Sequence, residues 1–347
     1  MKLFTSKVVD AFMALNEISL AEFRIKYLWD SVDYFVIAES NLTHSGNPKD
    51  LIFTVWLSKN PQLHSKVRCV VADLSRFNAP MDRDIGQREF LAQYLVKHFS
   101  NSLFIISDLD EIPSVEQVKA LKSHRRNTRF PTPTTYIYGN HLIPSAKDWC
   151  KGVMGNSSIL ALPNAGRDQG LPKIEAYEQG HHFSYLNSSH ESRAYKLSSF
   201  AHAELNLAEG NSIELFKYTI DYAINHLGGF LASDHGLIYQ QKKSELSGIQ
   251  RELFNFNEDY FKFEAPKYSK SARIVASMIV TSIYMLPRFR SCVHQTLILK
   301  DKNSPISCKV NAYLALTFMS ALKMQRHFKA LMKLTFYQLR FRTKLNP

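Results

Sequence analysis

The sequence predicts an α/β fold, a doubly wound mixed or parallel sheet flanked by helices, followed by a basic helical extension at the C-terminal end. Short apolar, β-branched runs alternate with stretches of helical spacing over the first 113 residues. Polar and acidic residues gather where those runs end. With 347 residues, 45% of them hydrophobic and 12% aromatic, the chain has ample material for a core and lies far from disorder.

In chain order, Val8 to Leu15 is mostly apolar and reads as the first strand. Leu20, Phe23, Tyr27 and Leu28 recur at helical spacing, with Glu22, Arg24 and Lys26 between them, and predict a helix to Trp29. Val32 to Ala38 is a second strand, ending in Glu39-Ser40-Asn41, and Val67 to Ala72 is a third, ending at Asp73. Gln87 to Phe99 is a helix leading into the buried strand Leu103–Ile106. Phe130 to Ile143 suits extended segments, Asn156 to Leu162 reads as a further strand, and residues 164–172 read as a loop. Gly180-His181-His182 reads as a turn after a strand, with a helical stretch following to about Leu207.

The segment after Leu103–Ile106 is Ser107-Asp108-Leu109-Asp110-Glu111-Ile112-Pro113. In an open α/β sheet ligands bind beyond the carboxyl ends of the strands, where these acids fall. Hard divalent cations take oxygen ligands and often only one or two protein carboxylates, leaving the remaining positions to substrate phosphates. A strand ending in Asp-x-Asp therefore points to a metal that holds a diphosphate. The same residues also fit a helix cap before Pro113, and the segment alone leaves both open.

The net charge of +12 is unevenly spread. Residues 267–347 hold 15 Lys and Arg against one acid, Asp301, which leaves 28 basic against 30 acidic residues before them. This divides the chain into a nearly neutral domain, 1–265, and a basic tail, 266–347. In the tail, Asn311 to Arg342 has helical propensity, with Lys323, Arg326, Lys333 and Arg340 on one side, as in helices that lie on anionic membranes. The apolar run Ile274–Leu286 is too short to span a bilayer. No nucleic-acid reader motif accompanies the basic residues, so nucleic acid is not an expected partner. The opening residues carry no secretory pattern, and the four cysteines are scattered without metal-ligand spacing. Both point to a cytoplasmic protein, peripheral on the membrane, whose sequons at Asn41, Asn156 and Asn187 carry no sugar.

Four segments in order resemble glycosyltransferase family 17. They are Val32 to Thr43 with Gly46, Pro48 and Phe53; Phe104 to Pro113; Gly180 to Tyr185, which is similar to the family's Gly-Trp-His segment; and Lys196 to Asn206, with Phe200-Ala201-His202-Ala203-Glu204. The resemblance covers about residues 8–235. It implies a GT-A type fold, a nucleotide-diphosphate sugar donor such as a UDP-sugar, Mn²⁺ or Mg²⁺, inversion at the anomeric carbon, and a glycan or glycolipid acceptor, with N-acetylglucosamine the expected sugar. On this reading Asp110 ligates the metal, Asp108 holds the ribose or a metal-bound water, and His182 is a third metal or phosphate partner. Glu39, Asn41 and Arg88 are expected around the nucleotide and diphosphate. The base that takes the acceptor proton is sought in Glu204, then Glu111 or Asp234. His181 stands where the family has Trp, which implies altered packing over the donor sugar. Two other readings use the same residues: a nucleotidyltransferase or phosphohydrolase, and a non-catalytic carbohydrate-binding or membrane scaffold protein.

Overall fold

The structure, a computed structural model, describes residues 6–136, 139, 141–143, 149–184, 186, 195, 196, 198, 199, 201, 230–232 and 236–261. The basic tail lies outside the described residues. The strands are β1 (Val8–Met13), β2 (Tyr34–Ser40), β3 (Val67–Ala72), β4 (Leu103–Asp108), β5 (Glu111–Ile112) and β6 (Thr128–Arg129). They continue with β7 (Thr134–Tyr136), β8 (His141–Ile143), β9 (Val153–Gly155), β10 (His181–Ser184), β11 (Phe230–Ala232) and β12 (Gly236–Gln240). The helices are α1 (Ile18–Leu28), α2 (Ile52–Ser58), α3 (Pro80–His98), α4 (Val115–His124) and α5 (Gly248–Phe256).

The main sheet runs β3-β2-β1-β4-β9-β6, with β3, β2, β1 and β4 parallel and β9 antiparallel to β4. Alternation along each strand sorts the core into two halves. Val8, Phe12, Phe35, Ile37, Leu103 and Ile105 pack with α1, α2, α4 and α5, whereas Val9, Ala11, Val36, Phe104 and Ile106 pack with Leu91, Ala92 and Leu95 of α3. Helices therefore cover both faces, as the buried β-branched strands require. From β1 the chain winds outward to β2 and β3, then returns to add β4 on β1's other side. The carboxyl ends of β1 and β4 thus form a topological switch point, the usual ligand crevice of such sheets.

A second, mixed sheet runs β11-β12-β8-β7-β10-β5. Its edge strand β5 follows β4 after one turn, so the acidic segment joins the two sheets.

Three expectations are corrected. The helix expected from Gln87 begins at Pro80, whose fixed φ suits a first helical position; Asp82 to Gly86 had hidden its apolar spacing. Residues 156–162 form no strand: the Asn156 side chain accepts a 2.9 Å hydrogen bond from the Ser158 N–H and turns the chain into a 3₁₀ segment, Ser157–Ala161, just after β9. Gly180-His181-His182 is no turn either. It opens β10, which pairs antiparallel with β5, His182 opposite Glu111.

Candidate active site

The acidic turn is shaped from beneath by a buried arginine. Arg24 of α1 and Asp10 of β1 are both fully buried and joined by two hydrogen bonds of 2.9 and 2.6 Å. The same guanidinium donates to the carbonyls of Asp108, Leu109 and Glu111 at 2.9, 3.1 and 3.2 Å, and to Ser107 Oγ at 2.9 Å. Three carbonyls converging on one rigid fork fix the backbone from which Asp108 and Asp110 project. Helix capping is not their role. Ser114 caps α4, with Gln117 completing a reciprocal box.

Glu111 holds the turn from above. Its oxygens accept from Trp149 Nε1 (2.5 Å), from Arg167 at 3.0 and 3.2 Å, and from the Asp108 N–H at 3.1 Å. A fully buried carboxylate with four donors is committed to position.

Asp108, at the end of β4, faces two arginines. Arg88 Nη1 reaches Oδ1 at 3.1 Å and Arg167 Nη2 reaches Oδ2 at 3.0 Å. Burial alone would raise its pKa, but the Arg167 and Arg88 charges outweigh that and hold it below the usual carboxylate range. Arg88 also binds Asp84 at 3.1 Å. Arg167 arrives on a loop in which Asn164, Ala165, Gly166 and Asp168 all have positive φ.

Asp110 lies across the turn and is 8% exposed. Lys196 Nζ donates to Oδ2 at 2.8 Å and reaches Glu17 Oε1 at 2.9 Å. His182 Nε2 stands 3.8 Å from Oδ1, beyond hydrogen-bond length. Burial would raise Asp110's pKa, yet Lys196 and then His182 overcome it and hold the carboxyl far below its ordinary value. The ammonium of Lys196 is held above its ordinary pKa: burial opposes the charge, and Asp110 and Glu17 outweigh burial. His182 is set by stacking on Trp149 (4.7 Å between centroids) and by Thr134 Oγ1, 3.2 Å from Nδ1.

These groups define what the site can hold. Among the described residues, five carboxylates (Glu17, Asp84, Asp108, Asp110, Glu111) meet three fixed cations (Arg88, Arg167, Lys196), leaving two negative charges in excess. No three His, Cys, Asp or Glu side chains among the described residues converge tightly enough to cage a metal by themselves. The facing pair Asp110 Oδ1 and His182 Nε2 instead fits a divalent cation that takes two protein ligands and completes its coordination from phosphate. Thr134 Oγ1 can accept a hydrogen bond from Nδ1–H, leaving the Nε2 lone pair for a metal.

The remaining expected residues lie elsewhere. Glu39 is fully buried and accepts from the N–H groups of Phe53 (3.1 Å) and Thr54 (2.7 Å), so it serves the N-terminus of α2, with Lys49 at 3.5 Å. Asn41 ties β2 to the end of β3, donating to Asp73 at 2.8 Å and accepting from the Leu74 N–H at 3.0 Å. His181 is on the opposite face of β10 from His182, 2% exposed and tilted against the Phe183 ring at 4.6 Å. Its place is the core. Glu204 and Asp234 lie outside the described residues.

Sequence reasoning missed Arg24, Asp10, Arg167 and Glu17. Asp10 did leave a signal, a lone charge inside an apolar strand, and Arg24 shares the Leu20–Leu28 stripe at four-residue spacing. Arg167 left none: it sits on a loop 56 residues beyond Glu111, with α4 and β6 to β9 between them.

The sequence profile of glycosyltransferase family 17 matches residues 1–208. Among curated proteins, the β-1,4-mannosyl-glycoprotein 4-β-N-acetylglucosaminyltransferases of Homo sapiens and Rattus norvegicus are each 33% identical over 126 residues, 33% of this chain. The chain spans about a quarter of their length, 24% and 23%. Among solved structures, the mannosyltransferase PcManGT of Pyrobaculum calidifontis, in complex with GDP-Man and Mn²⁺, is similar at 10% identity with a TM-score of 0.34. That match covers 92% of this chain and 88% of the other.

Proposed function

Because the chain belongs to glycosyltransferase family 17, we propose that it moves a sugar, N-acetylglucosamine in the first instance, from a nucleotide-diphosphate donor to a glycan or glycolipid. The observation that carries this reading is Asp110 facing His182 across 3.8 Å at the sheet's switch point, inside a cluster whose described residues carry excess negative charge. In this reading the fold is of the GT-A type and Asp110 and His182 hold Mn²⁺ or Mg²⁺. When bound, the metal supplies Lewis-acid charge neutralisation for the departing diphosphate.

The chain's own residues do the rest. Arg24 fixes the turn, and Glu111 with Trp149 holds Arg167 and His182 around it. Asp108, about a third exposed, accepts the donor's ribose hydroxyl, with Arg88 and Arg167 orienting its two oxygens. Asp110 and His182 would hold the metal, whose charge the diphosphate needs. With Glu111 committed to position, the acceptor proton goes to Glu204, in the segment that begins at Lys196, and Asp234 is the second candidate. Inversion follows from a single displacement in which that base acts on the acceptor oxygen.

A screen of nucleotide sugars for donor hydrolysis, with Mn²⁺ and with chelator, tests this. UDP-N-acetylglucosamine should be turned over with Mn²⁺ alone. Absence of turnover of any nucleotide sugar, under either condition, by folded protein would reject the reading.

A further inference from the structure

Lys196 connects two carboxylates that sit on different footings. Glu17 is fixed just before α1, its Oε2 accepting from the N–H groups of Leu15 at 3.4 Å and Asn16 at 3.1 Å. Asp110 is the carboxylate that faces His182. The ammonium lies 2.9 Å from the first and 2.8 Å from the second, and its side chain is 15% exposed. A lysine ammonium is a point charge on a flexible four-carbon stem, able to keep one partner while changing another.

We propose that Lys196 is a positioning cation that exchanges partners. It neutralises Asp110 in the donor-free protein and passes to the donor's diphosphate when a metal takes Asp110. This rests on the metal-dependent reading above and goes beyond it in one respect: metal and nucleotide bind cooperatively because they share one lysine. Metal alone must compete with the ammonium for Asp110. A diphosphate arriving with the metal gives the ammonium a new anion, while Glu17 keeps it within reach. Such coupling between two ligands ordinarily amounts to about 5- to 150-fold in affinity, and it is reciprocal.

The test is Mn²⁺ affinity from the free-ion paramagnetic resonance signal, with and without UDP, in the parent, Lys196→Met and Lys196→Arg. In the parent, UDP should tighten Mn²⁺ by about tenfold or more. In Lys196→Met, Mn²⁺ alone should bind about tenfold tighter than in the parent, and the gain from UDP should shrink to about twofold. Lys196→Arg keeps the charge and should behave like the parent. Should Lys196→Met fail to fold, Lys196→Gln makes the same comparison. Unchanged or weaker Mn²⁺ binding in the uncharged variant overturns the proposal while leaving the metal reading standing. Absence of Mn²⁺ binding in every variant, with and without UDP, overturns both, and the two failures are thereby distinct.

Discussion

The five N–H groups of Arg24 serve six acceptors without reaching solvent, the two on Nη1 being shared among three carbonyls, and they divide between holding Asp10 and shaping the acidic turn. Arg24→Met should strand the Asp10 charge and cost about 3–5 kcal/mol, read by chemical denaturation. Arg24→Met with Asp10→Leu should recover much of that stability, since an apolar pair replaces a buried ion pair at little cost. Donor turnover should nonetheless stay about tenfold or more below the parent, because the three carbonyls have lost their common donor. Recovery of both would reduce Arg24 to a structural ion pair. His181 makes a different prediction. Burial, then the neighbouring His182, pushes its pKa down to about 3, well below the ordinary histidine value of about 6.5. Between those values the unfolded chain binds the proton and the folded chain does not. Stability is therefore whole above about pH 6.5 and falls, by up to about 1.4 kcal/mol per pH unit, as pH drops toward 3. His181→Phe should flatten that part of a denaturation–pH profile, and an unchanged slope would show that His181 is solvated.

At the scale of elements, the parallel strands and α1 were legible because each carries its own periodicity within a few residues. Val8, Phe12 and Ile105 bury themselves whatever happens elsewhere. The second sheet was poorly legible because its strands are short and its pairs distant in sequence: β5 and β10 share two register positions. Gly180 is where that pairing shows in the sequence. A Cβ there would lie 2.2 Å from the Ile112 carbonyl oxygen and 2.7 Å from Pro113 Cα, so only glycine lets β10 approach β5. Gly180→Ala should cost about 1–3 kcal/mol in thermal or chemical denaturation. It should also speed hydrogen exchange at the Phe183 N–H, which donates to the Asp110 carbonyl at 2.9 Å. Protection equal to the parent's would mean that the two strands do not depend on this contact. The site residues divide on the same physical line. Asp108, Asp110 and His182, singled out in the sequence, meet at one turn, whereas Glu39, at a strand end like Asp108, accepts from the first N–H groups of α2. Which acid caps and which faces the crevice depends on the element that packs against it.

At the scale of the whole molecule, the excess of positive charge in residues 267–347 has no counterpart before it, where acids and bases nearly balance. Among the described residues no helix is long and apolar enough to cross a membrane. We propose that the basic tail binds an anionic membrane surface. The full chain should sediment with anionic but not neutral vesicles, more weakly as salt rises, and a chain ending at residue 265 should lose that binding. Equal sedimentation by the shortened chain would contradict it. The central claim is that Asp110 brings metal and donor together at the switch point. Its most direct test is donor turnover with Mn²⁺ by the parent and by Asp110→Ala, with the fold of both checked by circular dichroism. Loss of one metal carboxylate should lower turnover about a thousandfold, with chelator doing the same to the parent. Turnover at the parent's level by folded Asp110→Ala, or by the parent in chelator, would contradict the account.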